Sequence, residues 1–459
     1  MWRRVSLVFA FVTGLACSSE DGSNAGNGGT TSGGASGGTT SGGATSGGAG
    51  KASSGSGGQA GATAGKDGTG GNSAGSSGSS AKGGTGNAGS GQAAAGSGES
   101  GGGGGSGTDT AGNGGSTNGG LGGGAGSGGN AGEPGTPSVR VVGRTTPGTM
   151  GGQRLSWAGT NFHARFSGTQ ISMQLADGGN KNEFAVVIDG DVTKVATTDG
   201  TTTYSLATGL EDTTHDIVVW RRSESYYNPS EFIGFTGFSE GGALLAPAPA
   251  PERRIEIIGD SITVGYGNEG TQPCSANQSN GNNYVSYGSV AARMLEADLV
   301  TIAWSGIGMY RNYDQAGPSA DAMPARYDKI IPTDSGAPTW DFSKYVPQAV
   351  VINLGTNDYS TRGDPGQPYV DAYIGFLNRV RDNYPDAYIF CLIPLSAATA
   401  NVNAAVDALK ADGDEDVEAF DISVTGGAND GCDGHPNVAR DQAMGEKLAG
   451  RMATVMGWD

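Results

Sequence analysis

Between Ser18 and Thr136 lies a stretch of roughly 119 residues whose only large apolar side chain is Leu121, and it holds about 49 of the chain's 87 glycines. Such a segment cannot bury enough apolar surface to offset the backbone entropy of folding, and glycine has the most of that entropy to lose. A chain of 459 residues has room for about three domains. The tract removes one of them. About 320 residues remain, enough for two domains with cores of their own.

Upstream of the tract, Met1 to Ala16 reads as an export signal. Arg3 and Arg4 form a positive start, Val5 to Val12 a short apolar run, and Gly14, Leu15 and Ala16 a small-residue cleavage site before Cys17. The run is too short to span a membrane, which takes about 20 apolar residues. The segment resembles a bacterial lipoprotein signal, although Gly14 stands where such signals usually carry Leu. The resemblance implies a lipidated Cys17; the alternative is an ordinary secretory signal. Residues 1–17 are thus expected to be signal and anchor, and residues 18–136 a disordered tether. By random-coil scaling that tether has an r.m.s. span of roughly 55–65 Å. The expected location is outside the cytoplasm, as an envelope or surface (outer-membrane) lipoprotein or in secreted form, with membrane contact only through the anchor.

The formal net charge is -18, from 27 Lys and Arg against 45 Asp and Glu. Nucleic acid and anionic lipid call for basic surfaces, so neither is an expected partner. A monomer is expected.

From Val139 to Phe238 the text changes to short alternating runs: Val139–Val142, Leu155–Trp157, Phe162–Phe166, Ile171–Leu175, Phe184–Ile188, Val192–Val195 and Ile217–Trp220. Asp189-Gly190 between two of them signals a two-residue hairpin. This predicts a β-sandwich over residues 137–245, with Trp157, Phe162 and Trp220 as core. No catalytic constellation is visible in it. Residues 246–252, rich in Pro and Ala, form a stiff connector. Beyond it, over residues 253–459, strand-like runs at 254–258, 299–304, 349–354, 388–393 and 417–421 alternate with helical patterns. Those helices are expected at 286–297, 369–384, 402–412 and 438–456. The alternation predicts a doubly wound, parallel five-stranded sheet of flavodoxin-like order, whose ligands sit at the carboxyl ends of the strands.

Polar motifs stand at those ends. The runs close on Gly259-Asp260-Ser261, Ser305-Gly306-Ile307-Gly308 and Gly355-Thr356-Asn357-Asp358, and the loop after the fifth strand carries Asp433-Gly434-His435-Pro436. Singly, each could be a turn or a helix cap. Together they supply acyl transfer: Ser261 as nucleophile, His435 as base, and Asp433 as the acceptor that orients the imidazole. In extended backbone, residues two apart share a face, which would bring Asp433 to the ring. The N–H groups of Ser261 and Gly306 and the amide of Asn357 are candidate oxyanion donors. His435 is the sole histidine of this domain; His163 and His215 lie in the β region.

The region from about Arg253 onward resembles an SGNH-type hydrolase. The runs Arg254–Gly267, Trp304–Asn312, Asn353–Asp358 and Gly431–Pro436 resemble, more narrowly, carbohydrate esterase family 2, which also places a jelly-roll β-sandwich before the hydrolase domain. The resemblance implies a serine esterase that removes O-acetyl groups from plant polysaccharides such as xylan or glucomannan, particularly at sugar 6-hydroxyls. Two departures bear on the site. Many SGNH enzymes separate Asp and His by two residues, whereas here only Gly434 intervenes, and some members of the family orient the imidazole with a backbone carbonyl; triad and dyad both stay open. Gly434 also occupies a position that is often aromatic, so Tyr310, Tyr313 and Trp340 are the candidates for stacking on sugar, each equally able to be core. If the site assembles, the loops of Cys274 and Cys432 meet, and in an oxidising compartment those two would pair. Cys391, inside a strand, is expected to be a buried free thiol.

Other chemistries fit less well. Gly265–Gly270 matches the spacing of a dinucleotide-binding loop but begins too far beyond the strand end. The α/β-hydrolase elbow fails at Thr263, no zinc-type ligand spacing occurs, and no cofactor is expected. Asp260 and Asp358 read as turn and cap residues. The remaining alternatives are an SGNH esterase or lipase for another acyl group, and a non-catalytic carbohydrate-binding surface lipoprotein.

Overall fold

The computed structural model describes residues 138–179, 181–336 and 338–458. The export signal, Cys17 and the Gly-rich tether lie outside the described residues. Eleven strands come first: β1 Arg140–Val142, β2 Thr145–Pro147, β3 Gln153–Leu155, β4 Asn161–Ser167, β5 Gln170–Asp177, β6 Glu183–Ile188, β7 Asp191–Ala196, β8 Gly200–Thr208, β9 Thr214–Arg221, β10 Ser230–Thr236 and β11 Ala243–Leu245. They form two antiparallel sheets, ordered β1-β4-β9-β6-β7 with β11 beside β4, and β2-β3-β10-β5-β8. Along β5, buried and half-buried residues alternate strictly, as one face packed on a core requires. The inward side chains, among them Phe162, Phe166, Met173, Phe184, Val219 and Phe232, fill the space between the sheets. Asp189 and Gly190, at φ 52° and 96°, make the tight turn joining β6 to β7.

The second half carries β12 Arg253–Gly259, β13 Ala297–Ala303, β14 Ala349–Asn353, β15 Tyr388–Ile393 and β16 Val417–Asp421. Their order is β13-β12-β14-β15-β16, all parallel: the 2-1-3-4-5 sequence of a flavodoxin-like sheet. Helices α1 Ser261–Val264, α2 Tyr287–Met294, α3 Met323–Arg326, α4 Thr356–Tyr359, α5 Gln367–Asn383, α6 Thr399–Ala411 and α7 Val438–Met456 complete it. Apolar residues of α5 and α6 cover one face of the sheet and those of α2 and α7 the other. Burial on both faces explains why β14 is apolar from Ala349 to Ile352 without alternation. Gly259 pairs with both Ala303 and Asn353, so the carboxyl ends of β12, β13 and β14 lie level. The three polar motifs that follow them therefore meet.

The two domains share core. Val142 and Trp157 of the sandwich join the cluster under α5, and Trp220 joins the one under α2. The expectation that Trp157, Phe162 and Trp220 are buried agrees with the structure, though the two tryptophans pack between domains. Arg144, fully buried, pairs with the equally buried Glu256 of β12 at 3.2 Å and lies over the rings of Tyr327, Trp340 and Phe342. Arg140 pairs with Asp298 at 2.6 Å.

Candidate active site

β12 ends at Gly259, where a Cβ would stand 2.0 Å from the Thr263 hydroxyl. The Asp260 carboxylate then accepts the Ile262 N–H at 3.0 Å and caps α1, whose first residue is Ser261. Gly265, left-handed at φ 83°, closes the short helix. Ser261 is thus held at the strand end and is 5 % exposed.

His435 comes from the loop before α7. Its Nε2 lies 2.8 Å from Ser261 Oγ, and its Nδ1 lies 3.2 Å from the Cys432 carbonyl. A carbonyl can only accept, so Nδ1 carries the proton and Nε2 is left free to take the serine's. Burial, the larger influence, holds the imidazole pKa below 6.5 against the opposing effects of the Cys432 carbonyl and the Asp433 charge. The Tyr266 ring lies against it, with centroids 4.5 Å apart.

Asp433 does not orient His435. Residue 433 adopts φ 54°, ψ 28° inside a one-turn 3-10 segment, so the extended backbone assumed for residues two apart is absent. Its carboxylate accepts instead from the Tyr266 hydroxyl at 3.0 Å and the Ala276 N–H at 3.2 Å. The arrangement is a Ser–His dyad braced by a main-chain carbonyl.

That carbonyl is itself fixed. Cys432 is disulfide-bonded to Cys274, its N–H donates to the Gly267 carbonyl at 3.0 Å, and the Asp433 N–H donates to the Cys274 carbonyl at 3.1 Å. A Cβ on Gly267 or Gly270 would lie 2.6 or 2.2 Å from Cys432 side-chain atoms. Those glycines, which mimic a nucleotide-binding spacing, make room for the bridge. Cys391 is buried and free, and burial pushes its thiol up to about 12.

Three candidate donors face the nucleophile's end of the sheet. Among the described residues, the N–H groups of Ser261 and Gly306 have no acceptor, and Gly306 sits at φ 79°. The Asn357 amide is engaged, donating to the Ile307 carbonyl at 2.9 Å and to the Asp260 carboxyl at 3.2 Å. Asp358 is not the cap expected of it: it lies inside α4, whose N-cap is Gly355, and its carboxylate accepts the N–H groups of Met309, Tyr310 and Arg311 at 2.7–2.8 Å. It thereby anchors the loop that carries Gly306.

The aromatic candidates fare differently. Trp340 is 6 % exposed and lies beneath Arg144; it is core. Tyr310 is half-buried against the same cluster, and Tyr313 is exposed. Tyr266 is the ring against the dyad, and a second group of rings forms from Trp304, just after β13, and Tyr226 and Tyr227 of the sandwich loop after β9. The Tyr226 centroid lies 4.3 Å from that of Tyr227 and 6.3 Å from that of Trp304. From the same loop Glu224 accepts the Ser305 N–H at 3.2 Å. The adjacent Tyr226-Tyr227 pair in a loop was the one available sequence signal for this contribution; a lone Glu gave none.

Residues 141–249 match the family described as carbohydrate esterase 2 N-terminal, and residues 257–440 the GDSL-like lipase/acylhydrolase family. The cellulase/esterase CelE of Acetivibrio thermocellus is 39% identical over 332 residues, covering 70% of this chain and 40% of its own. A solved family two carbohydrate esterase from Clostridium thermocellum, in complex with cellohexaose, is 38% identical at a TM-score of 0.66, covering 70% of this chain and 100% of that one. The chain belongs to carbohydrate esterase family 2. An acetylxylan esterase / glucomannan deacetylase of Cellvibrio japonicus is 25% identical over 332 residues, 70% of this chain and 90% of that relative. Both family 2 domains, sandwich and hydrolase, thus lie in the part these relatives share with it, while the chain spans 40% of the length of the cellulase/esterase.

Proposed function

We propose that this family 2 chain is a serine esterase that releases acetate from O-acetylated polysaccharide, xylan or glucomannan, at sugar 6-hydroxyls. The observation that carries the reading is the 2.8 Å contact between Ser261 Oγ and His435 Nε2, with Nδ1 held by the Cys432 carbonyl. Ser261 Oγ attacks the acetyl carbonyl while His435 Nε2 takes its proton. The carbonyl oxygen becomes an anion stabilised by the Ser261 and Gly306 N–H groups, and by Asn357 once its amide exchanges one acceptor for the oxyanion. The C–O bond to the sugar breaks, His435 returns the proton to the sugar oxygen, and acetyl-serine remains. Water, deprotonated by His435, repeats the sequence and frees acetate and Ser261.

Substrate class is supported by the Tyr266 ring against His435 and by the partly exposed Tyr226 and Tyr227 rings beside Trp304, which suit the apolar faces of sugars. It is supported too by the Cellvibrio japonicus relative, an acetylxylan esterase / glucomannan deacetylase. Ser261→Ala should abolish acetate release from acetylated xylan and glucomannan with the unfolding temperature unchanged; retained activity would overturn the assignment. Acyl-chain profiling separates this reading from a lipase: the acetyl ester should be strongly preferred over longer ones. The sequence of residues 1–136 supports an exported protein held by a lipid on Cys17. Labelling with radioactive palmitate should be lost in Cys17→Ser.

A further inference from the structure

The sandwich reaches the catalytic centre through the loop between β9 and β10. Within it Glu224 is 6 % exposed, and its Oε2 accepts the Ser305 N–H at 3.2 Å. On one side of Ser305, the Trp304 N–H is held by the Gly259 carbonyl at 3.2 Å. On the other, Gly306 turns the chain at φ 79° and presents its free N–H. The turn is therefore held by its own domain, where the Tyr313 N–H also donates to the Gly306 carbonyl at 2.9 Å, and in addition by the sandwich through Glu224. We propose that Glu224 is a positioning residue for the oxyanion hole: by accepting the Ser305 N–H it fixes the turn whose next N–H, that of Gly306, stabilises the tetrahedral intermediate. The inference rests on the esterase reading above.

The surroundings of Glu224 fit a geometric task. The buried Arg221 donates Nη2 to the Glu224 carbonyl and Nε to the Ser223 carbonyl, each at 3.2 Å, and Ser156 Oγ donates to the Ser225 carbonyl at 3.1 Å. The Asn283 N–H donates to the Arg222 carbonyl at 3.2 Å, which ties the loop to the hydrolase domain. Glu224 lines one small cavity with Tyr226 and Tyr227, while Arg222 pairs with Glu183 and Glu269. Burial raises the Glu224 pKa to about 7. A buried carboxyl without an ion-pair partner costs stability rather than adding it, so folding alone gives no reason for it here. A second acceptor on the oxyanion turn does.

The test uses the full chain with Glu224→Gln, which keeps an acceptor oxygen, and Glu224→Met, which keeps the volume and removes it. Hydrolysis of an aryl acetate is measured alongside inhibition by an alkylboronic acid, which forms a tetrahedral anion on Ser261. Loss of one oxyanion donor lowers kcat about 10²–10³-fold, so loosening one should lower it about 10–100-fold in Glu224→Met. Acylation and deacylation both pass through the anion and slow together, so KM should stay within about 2-fold while the boronic acid weakens in proportion to kcat. Glu224→Gln should stay within about 3-fold of wild type. Wild-type kcat in Glu224→Met overturns the proposal, as does equal loss in both variants, which would make the carboxyl's charge the relevant property. A wild-type protein inactive on the aryl acetate would instead overturn the esterase reading beneath it.

Discussion

The five strands of the parallel sheet and the eleven of the sandwich differ in what their ends do. In the sheet, β12, β13 and β14 each finish on a polar motif, and parallel pairing brings the three finishes level beside Ser261. In the sandwich, neighbouring strands are antiparallel and their ends alternate between its two edges, so no such convergence is built in. Its contribution comes from one loop that meets the other domain. Chemistry concentrated by topology can be read along the chain; chemistry brought by docking is visible only once the domains are in contact.

The sharpest way to break this contrast is to remove a residue from each side. His435→Ala should lower kcat on an aryl acetate by at least about 10³-fold with thermal unfolding unaltered, because the base is lost and the fold is not. On the sandwich side, Arg144→Ala should leave Glu256 buried and unpaired and cost about 3–5 kcal/mol in denaturant unfolding. Arg144→Met with Glu256→Gln should recover much of that loss, since no charge is then left buried alone. A full-strength Arg144→Ala protein would mean that the domains hold together without the pair.

The same contrast explains what could be read beforehand. An apolar run buried on both faces marks β15 at its observed limits, the edge strand β16 matches its expected limits on Val417, Ala419 and Phe420 alone, and Asn437 and Gly457 bracket α7 over the whole predicted 438–456. In the sandwich, β8 escaped notice because its Thr-rich sequence leaves only Leu206 buried. Likewise β10 is interrupted at Gly234, where its register to β5 shifts. Within the site, Ser261, His435, Gly306 and Asn357 stood out as strand-end and loop motifs. The role expected of Asp433 failed on one backbone angle that spacing does not encode. Trp340 was ambiguous because an aromatic side chain serves a core and a sugar equally well, and it was the burial of Arg144, far away in the sequence, that decided it.

A smaller effect sharpens the role of the loops. Opening the Cys274–Cys432 bridge, 158 residues apart, by Cys274→Ser with Cys432→Ser should cost about 2–4 kcal/mol of stability in the α/β domain. Activity should also fall, because the carbonyl that sets the imidazole tautomer belongs to Cys432. Full kcat in the double variant would show that the Gly267 and Cys274 backbone contacts hold that carbonyl unaided.

The smallest expected effect tests the dyad itself. An orienting aspartate is worth about 10⁴-fold in kcat where a triad operates. Here Asp433→Asn should change kcat by less than about 3-fold, because the carbonyl keeps Nδ1 protonated and in place. The remaining influence of Asp433 is its charge, which raises the His435 pKa against a larger lowering by burial. Catalysis needs the neutral imidazole, so kcat/KM should fall as pH drops through a value below 6.5 in the wild type. Removing Asp433 takes away a negative charge that favours the imidazolium, so the acid limb should move to still lower pH. A shift toward higher pH, or a loss of several orders of magnitude at neutral pH, would restore Asp433 to a triad and with it a mobile 432–435 turn that closes on substrate.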